Sequence, residues 1–162
     1  MADQPPPFPE AVKDQALLRL YRYWDERRAG RPFPARKDID PVDFAYALGR
    51  VSIIEVEYDP LRFRCRLVST QLTEHLGYEM TGKYLDEIPE RSMREFVRDS
   101  YERALERRAL LYETGTVLIE RYEWWHETLM LPLASDGNKI DMLLTYRNTM
   151  PPAAVVAPHR PG

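Results

Sequence analysis

Cysteine is almost missing from this sequence: Cys65 stands alone in 162 residues. A single thiol excludes an intramolecular disulfide and a Cys-rich zinc site. Long apolar runs are missing as well, which excludes a transmembrane helix. The opening stretch, Met1 to Pro7, has neither the basic region nor the apolar stretch of a signal peptide. These absences predict a cytoplasmic protein with no membrane insertion. Lysine is scarce, with four Lys beside nineteen Arg among the 23 basic residues. Arg forms planar two-point ion pairs better than Lys, so an ion-paired surface is expected. The 26 acidic residues leave a net charge of −3, which argues against a nucleic-acid binder. The three histidines are scattered, and Asp38, Asp40 and Asp43 lack calcium-loop spacing, so no metal site is expected. No Gly-rich phosphate loop, nucleophile elbow or His-Glu-x-x-His helix is present.

What is present is enough for one domain. A hydrophobic fraction of 44% with 30% charge fits a globular chain of this length. Eight of the 14 prolines fall in the first nine and last 12 residues, so 1–9 and 149–162 read as disordered tails. Between them, 10–30 reads as an N-terminal helix and 31–148 as the domain proper. Val12, Ala16, Leu17, Leu20, Tyr21 and Trp24 form one apolar stripe at helical spacing, with Pro9 suited to the first turn and Gly30 to the end. Asp40-Pro41-Val42-Asp43 predicts a capped short helix ending at Gly49. A longer helix follows Pro89, with Ser92 and Glu95 in capping-box spacing and Met93, Phe96, Val97, Tyr101, Ala104 and Leu105 on its apolar face.

Five strands surround that helix. Val51–Tyr58 and Arg62–Thr70 form a hairpin about Asp59-Pro60. The expected register sets Val56 opposite Cys65 and Ile54 opposite Leu67, with Glu57 facing Arg64 and Glu55 facing Arg66. Leu110–Ile119, Tyr122–Ala134 and Lys139–Asn148 follow. A two-residue loop at Glu120-Arg121 places Thr114 beside Glu127 and Thr116 beside Trp125. A two-residue turn at Asp136-Gly137 pairs Leu131 with Met142, Leu129 with Leu144 and Glu127 with Tyr146. Strands before and after a helical block imply an α+β domain with an antiparallel sheet.

That order resembles a PAS domain. The stretch Leu76-Gly77-Tyr78-Glu79-Met80-Thr81-Gly82-Lys83-Tyr84-Leu85-Asp86-Glu87-Ile88 looks like the PAS helical signature. More narrowly, the chain resembles a proteobacterial family of short stand-alone PAS-like proteins. The resemblance is carried by Leu18–Trp24, Ile39-Asp40-Pro41, Phe63–Thr70, Thr81–Leu85 and Leu131–Gly137. It implies a five-stranded antiparallel sheet with helices over one face, which can enclose a small ligand. It also implies a regulatory module acting through protein–protein interaction, not an enzyme. No cofactor is named by it. Cys65 lies on a strand, whereas the reactive cysteine of light-sensing relatives lies on a helix, so flavin is not expected. His75 is a lone histidine in a short helix, and haem is not expected either.

The expected ligand pocket is built from Trp125, Glu127 and Tyr146, with Thr114, Thr116 and Cys65. The registers put the first five on one sheet face with Leu129, Leu131, Met142 and Leu144, and that face is expected beneath the helices. His126 should then point away. A hydrogen-bonded core pair explains the same residues. An alternative function is a small enzyme or carrier for an apolar metabolite, with Glu127 as acid or base and Tyr146 as donor. Arg62, Arg64 and Arg66 alternate on one strand, but Glu55 and Glu57 are placed to neutralise them. The opposite face, with Val117, Ile119, Tyr122, Trp124, Met130 and Leu143, is too apolar for water. The N-terminal helix should cover it or pack in a homodimer, with Leu20, Tyr21, Trp24 and Trp124 as anchors. The expected partners are an unidentified signalling protein and a second copy of the chain.

Overall fold

The computed structural model describes residues 8–150. Most of the two predicted tails lies outside the described residues. Their inner ends are ordered. Phe8 packs its ring on Tyr21 and Tyr112, at 4.8 and 5.1 Å between centroids, and the last strand continues to Met150. No helix among the described residues is long and apolar enough to cross a membrane.

The first helix, α1 (Gln15–Arg28), starts later than Pro9 because Asp14 caps it. Asp14 Oδ1 accepts from the backbone N–H groups of Ala16 and Leu17, at 2.9 and 3.2 Å. Ala29 and then Gly30 turn left-handed and end the helix. Short 3₁₀ turns at Arg36–Asp38 and Pro41–Ala47 lead into the sheet, the second capped by Asp40 as expected.

The strands are β1 (Val51–Glu57), β2 (Arg62–Leu67), β3 (Leu111–Ile119), β4 (Tyr122–Leu133) and β5 (Met142–Met150). They form one antiparallel sheet in the order β2-β1-β5-β4-β3. Helices α2 (Thr70–Leu76) and α3 (Arg91–Arg107) connect β2 to β3. Gly77 closes α2 with φ +80°, a conformation open to glycine at little cost. The expected capping box at α3 is not formed. Glu90 takes the cap position, Glu95 pairs with Arg91, and the Ser92 hydroxyl is exchanged with Glu120 at the β3–β4 turn.

One hairpin register is as expected: β3 and β4 pair Thr114 with Glu127 and Thr116 with Trp125. The other two are displaced by two residues. Ile54 opposes Cys65 and Val56 opposes Phe63, with a bulge at Ile53/Ile54. In β4–β5, Leu131 opposes Leu144, Leu129 opposes Tyr146 and Glu127 opposes Asn148. In both cases the loop is longer than a two-residue turn. Asp136 does not sit at the centre of a tight turn. Its carboxylate accepts from the N–H groups of Asn138 and Lys139 and organises a wider loop. A shift of two keeps side chains on their faces, so the predicted faces hold in β4–β5 and in β1–β2 up to the bulge, beyond which Ile53 rather than Ile54 opposes Leu67.

The sheet is covered on both sides. Beneath α1 lie Leu129, Leu131, Leu133 and Leu144, all fully buried, against Leu17, Leu20 and Trp24. The Trp24 indole N–H donates to the Pro132 carbonyl at 2.9 Å. Beneath α3 lie Ile54, Phe63, Met130 and Leu143, with Val97, Tyr101 and Ala104 from the helix. Thus α1 does cover the face turned away from α2 and α3, but that face carries the leucine stripe, not Trp124, Met130 and Leu143. Leu20 and Trp24 are 0% and 3% exposed within the single chain, which leaves them no surface for a dimer contact. Beyond the reach of α1, the distal end of the same face is bare, with Leu118 62% and Trp125 38% exposed.

Candidate functional site

The residues expected to line a pocket lie on the face covered by α1. Tyr146 donates its hydroxyl to Asp14 Oδ2 at 2.8 Å. Glu127 accepts from Tyr112 at 2.6 Å and from the Asn148 amide at 2.8 Å. The same amide donates to Asp14 Oδ2 at 2.6 Å. Tyr112, Glu127, Asn148, Asp14 and Tyr146 therefore form one chain of hydrogen bonds tying β3, β4 and β5 to the start of α1. Burial works against the Asp14 charge, but the bonds from Asn148 and Tyr146 outweigh it and hold the carboxyl below its ordinary range. Trp125, Thr114 and Thr116 are exposed on the same face. The expectation that Glu127 and Tyr146 face α2 and α3 while His126 faces away is thus reversed. Alternation fixes which residues share a face. It does not say which helix covers that face.

Cys65 does point toward the α3 side, where it is buried. Burial pushes its thiol up to about 11, so it is protonated and unreactive at neutral pH. The predicted arginine stripe is paired piecemeal. Arg62 makes a two-point pair with Asp86, and Arg66 meets Glu55 at 3.0 Å. Glu57 accepts from Tyr84 instead of an arginine.

The cavity lies on the other face, between the sheet, α2 and α3. Its floor comes from alternate residues of β5, Thr145, Arg147 and Thr149, beside Ser52 of β1 and His126 of β4. Phe96 and Tyr101 of α3 form its roof, and Val117, Ile119 and Trp124 close the side toward the β3–β4 hairpin. At the α2 end, Thr149 bonds Gln71 and His75, and the His75 ring packs on Trp124 at 5.0 Å. The free volume is about 30 Å³. That is room for about two or three waters.

The polar groups of the cavity are held by short local bonds. Thr145 donates to the Ser52 carbonyl at 3.2 Å, and the Ser52 hydroxyl accepts from the Ser69 N–H at 3.0 Å. Arg147 donates Nε–H to Thr128 Oγ1 at 3.2 Å, and its guanidinium carbon is 5.2 Å from the centre of the Phe96 ring. Thr128 Oγ1 is also 3.0 Å from His126 Nδ1. The Thr128 hydroxyl therefore bridges the guanidinium and the imidazole. Burial, with the Arg147 charge beside it, depresses His126 to about 4, so the ring is neutral above the acid range. Burial also lowers Arg147, but a guanidinium stays charged. Tyr101 is buried, which pushes its phenol up and keeps it a donor.

The sequence reading missed Arg147, Tyr101 and His126. Their signal is present in hindsight of the physics. A face that is leucine throughout needs only an apolar cover, whereas polar residues alternating through an otherwise apolar face, as Thr145 and Arg147 do, mark the side where a cavity has something to bind.

A search of curated proteins found no match to the chain. The profile of the PAS domain family matches residues 12–146, from just before α1 into β5. This span includes the whole α2–α3 block and four of the five strands, and the five-stranded antiparallel sheet with its helices agrees with it. The chain belongs to the PAS domain family, whose members are sensory and regulatory modules.

Proposed function

We propose that this protein is a PAS regulator that senses a small molecule in the cavity beneath α2 and α3 and signals by docking to another protein. The observation that carries the reading is the uneven chemistry of the two sheet faces. The face under α1 is sealed by leucines and a closed hydrogen-bond chain. The face under α3 keeps a free volume lined by Arg147, His126 and Tyr101. A few oriented polar groups among apolar walls is the usual make-up of a small-molecule site. The α2 wall is held to β5 mainly through Gln71 and His75 at Thr149, so occupancy of the cavity can move it with few bonds broken. Leu72→Trp fills the cavity from α2. Affinity capture from the native cell, with wild type and a folded Leu72→Trp variant, tests the reading. Different partner recovery by the two is expected. Identical recovery, or no partner for either, contradicts it.

A further inference from the structure

We infer that the cavity takes a short monocarboxylate, with Arg147 as its counter-ion; this rests on the ligand-binding reading above. Arg147 sits on the inner face of β5, the middle strand of the sheet, and lines the cavity. Other arginines of the sheet and helices pair with carboxylates: Arg62 with Asp86, Arg66 with Glu55, and Arg103 with Glu113. Arg147 has no ion pair among the described residues, and only its Nε makes a side-chain hydrogen bond. Glu113, the acid whose charge acts on it, is held by Arg103 in a two-point pair at 2.8 and 2.9 Å. Among the described residues both terminal amino groups of Arg147 are thus uncommitted beside a cavity.

A guanidinium edge matches a carboxylate in a planar two-point bond. The Tyr101 hydroxyl, which makes no hydrogen bond among the described residues, supplies a further donor on the roof of the same cavity. Neutral His126 adds no second positive charge. One cation suits one negative charge, which favours a monocarboxylate over a dianionic phosphate. The volume for about two or three waters accommodates a headgroup with one or two carbons. A longer tail would lie against Val117 and Ile119.

The test is a heteronuclear NMR titration of the full chain with propionate and with its neutral isostere, propionamide. Propionate should perturb the amides of Phe96, Thr145 and Arg147 saturably and bind at least tenfold more tightly than propionamide. Arg147→Gln should weaken propionate at least tenfold and leave propionamide unchanged, and Arg147→Lys should fall between. Each variant is checked for a wild-type-like spectrum, and one that fails to fold is replaced by Arg147→Met. If propionamide binds as well as propionate, or if the substitutions leave propionate unchanged, the carboxylate inference is overturned while the cavity remains a ligand site. If neither probe perturbs these amides, the ligand-binding reading falls and the inference with it.

Discussion

Asp14 holds Tyr146 from across the α1–sheet boundary. One carboxylate oxygen caps the helix and the other accepts the tyrosine hydroxyl at 2.8 Å, 132 residues away in sequence. A single side chain thereby fixes both where α1 begins and where it sits on β5. Losing an N-cap costs about 0.5–2 kcal/mol, and stranding a buried donor costs about 1–3 kcal/mol. Asp14→Ala should therefore destabilise by about 2–4 kcal/mol in denaturant melts, and Tyr146→Phe by only about 1 kcal/mol. Equal losses for the two would mean that the cap contributes nothing.

The leucine face under α1 predicts a larger loss. Leu131 is fully buried between Leu144 and the helix layer. Leu131→Ala should cost about 2–5 kcal/mol. Arg66→Ala, which removes an exposed pair with Glu55, should cost under about 1 kcal/mol. Urea midpoints at constant slope decide between them, and the reverse order would mean the sheet faces are misassigned.

Acid should weaken the fold in two stages. His126 is depressed from its ordinary 6.5 to about 4, so between those values the unfolded chain binds a proton that the folded chain does not. Stability is full above about pH 6.5 and falls as pH drops toward 4, by at most about 3 kcal/mol at 1.36 kcal/mol per unit. Asp14 is lowered from 3.8, so its contribution is present above that value and is lost only on further acidification. His126→Gln should reduce the slope between pH 4 and 6.5, the remainder coming from His75, which burial also depresses, and leave the lower stage. A slope in that window unchanged by the substitution would assign it to other groups.

Cys65, with its thiol at about 11, should react with a thiol reagent at pH 8 only as fast as the fold opens. Rapid modification without denaturant, followed by mass, would contradict its burial.

These tests bear on how much the residues alone disclose. The element order, the five strands and the β3–β4 register were legible, since only two residues separate Ile119 from Tyr122. The other registers were wrong by two because Glu55 and Glu57 face arginines in either alignment, Arg66 and Arg64 in one and Arg64 and Arg62 in the other, and Asp136-Gly137 resembles a tight turn while building a wide loop. The side of the sheet that faces α2 and α3 was not legible. Both faces are apolar enough to be buried, and the choice is made by α1, whose Leu17, Leu20 and Trp24 stripe matches leucines better than it matches Thr145 and Arg147.

The three tryptophans report separately on this choice. Trp124 lines the cavity, Trp24 is buried under α1 and Trp125 is exposed on the α1 face. Fluorine NMR of the 5-fluorotryptophan protein, titrated with short acids, amides and alcohols, is the most direct measurement of where a ligand binds. The Trp124 signal alone should move, and saturate. A Trp124 signal that stays fixed for every compound, or a shift of Trp24 or Trp125 in its place, would contradict it.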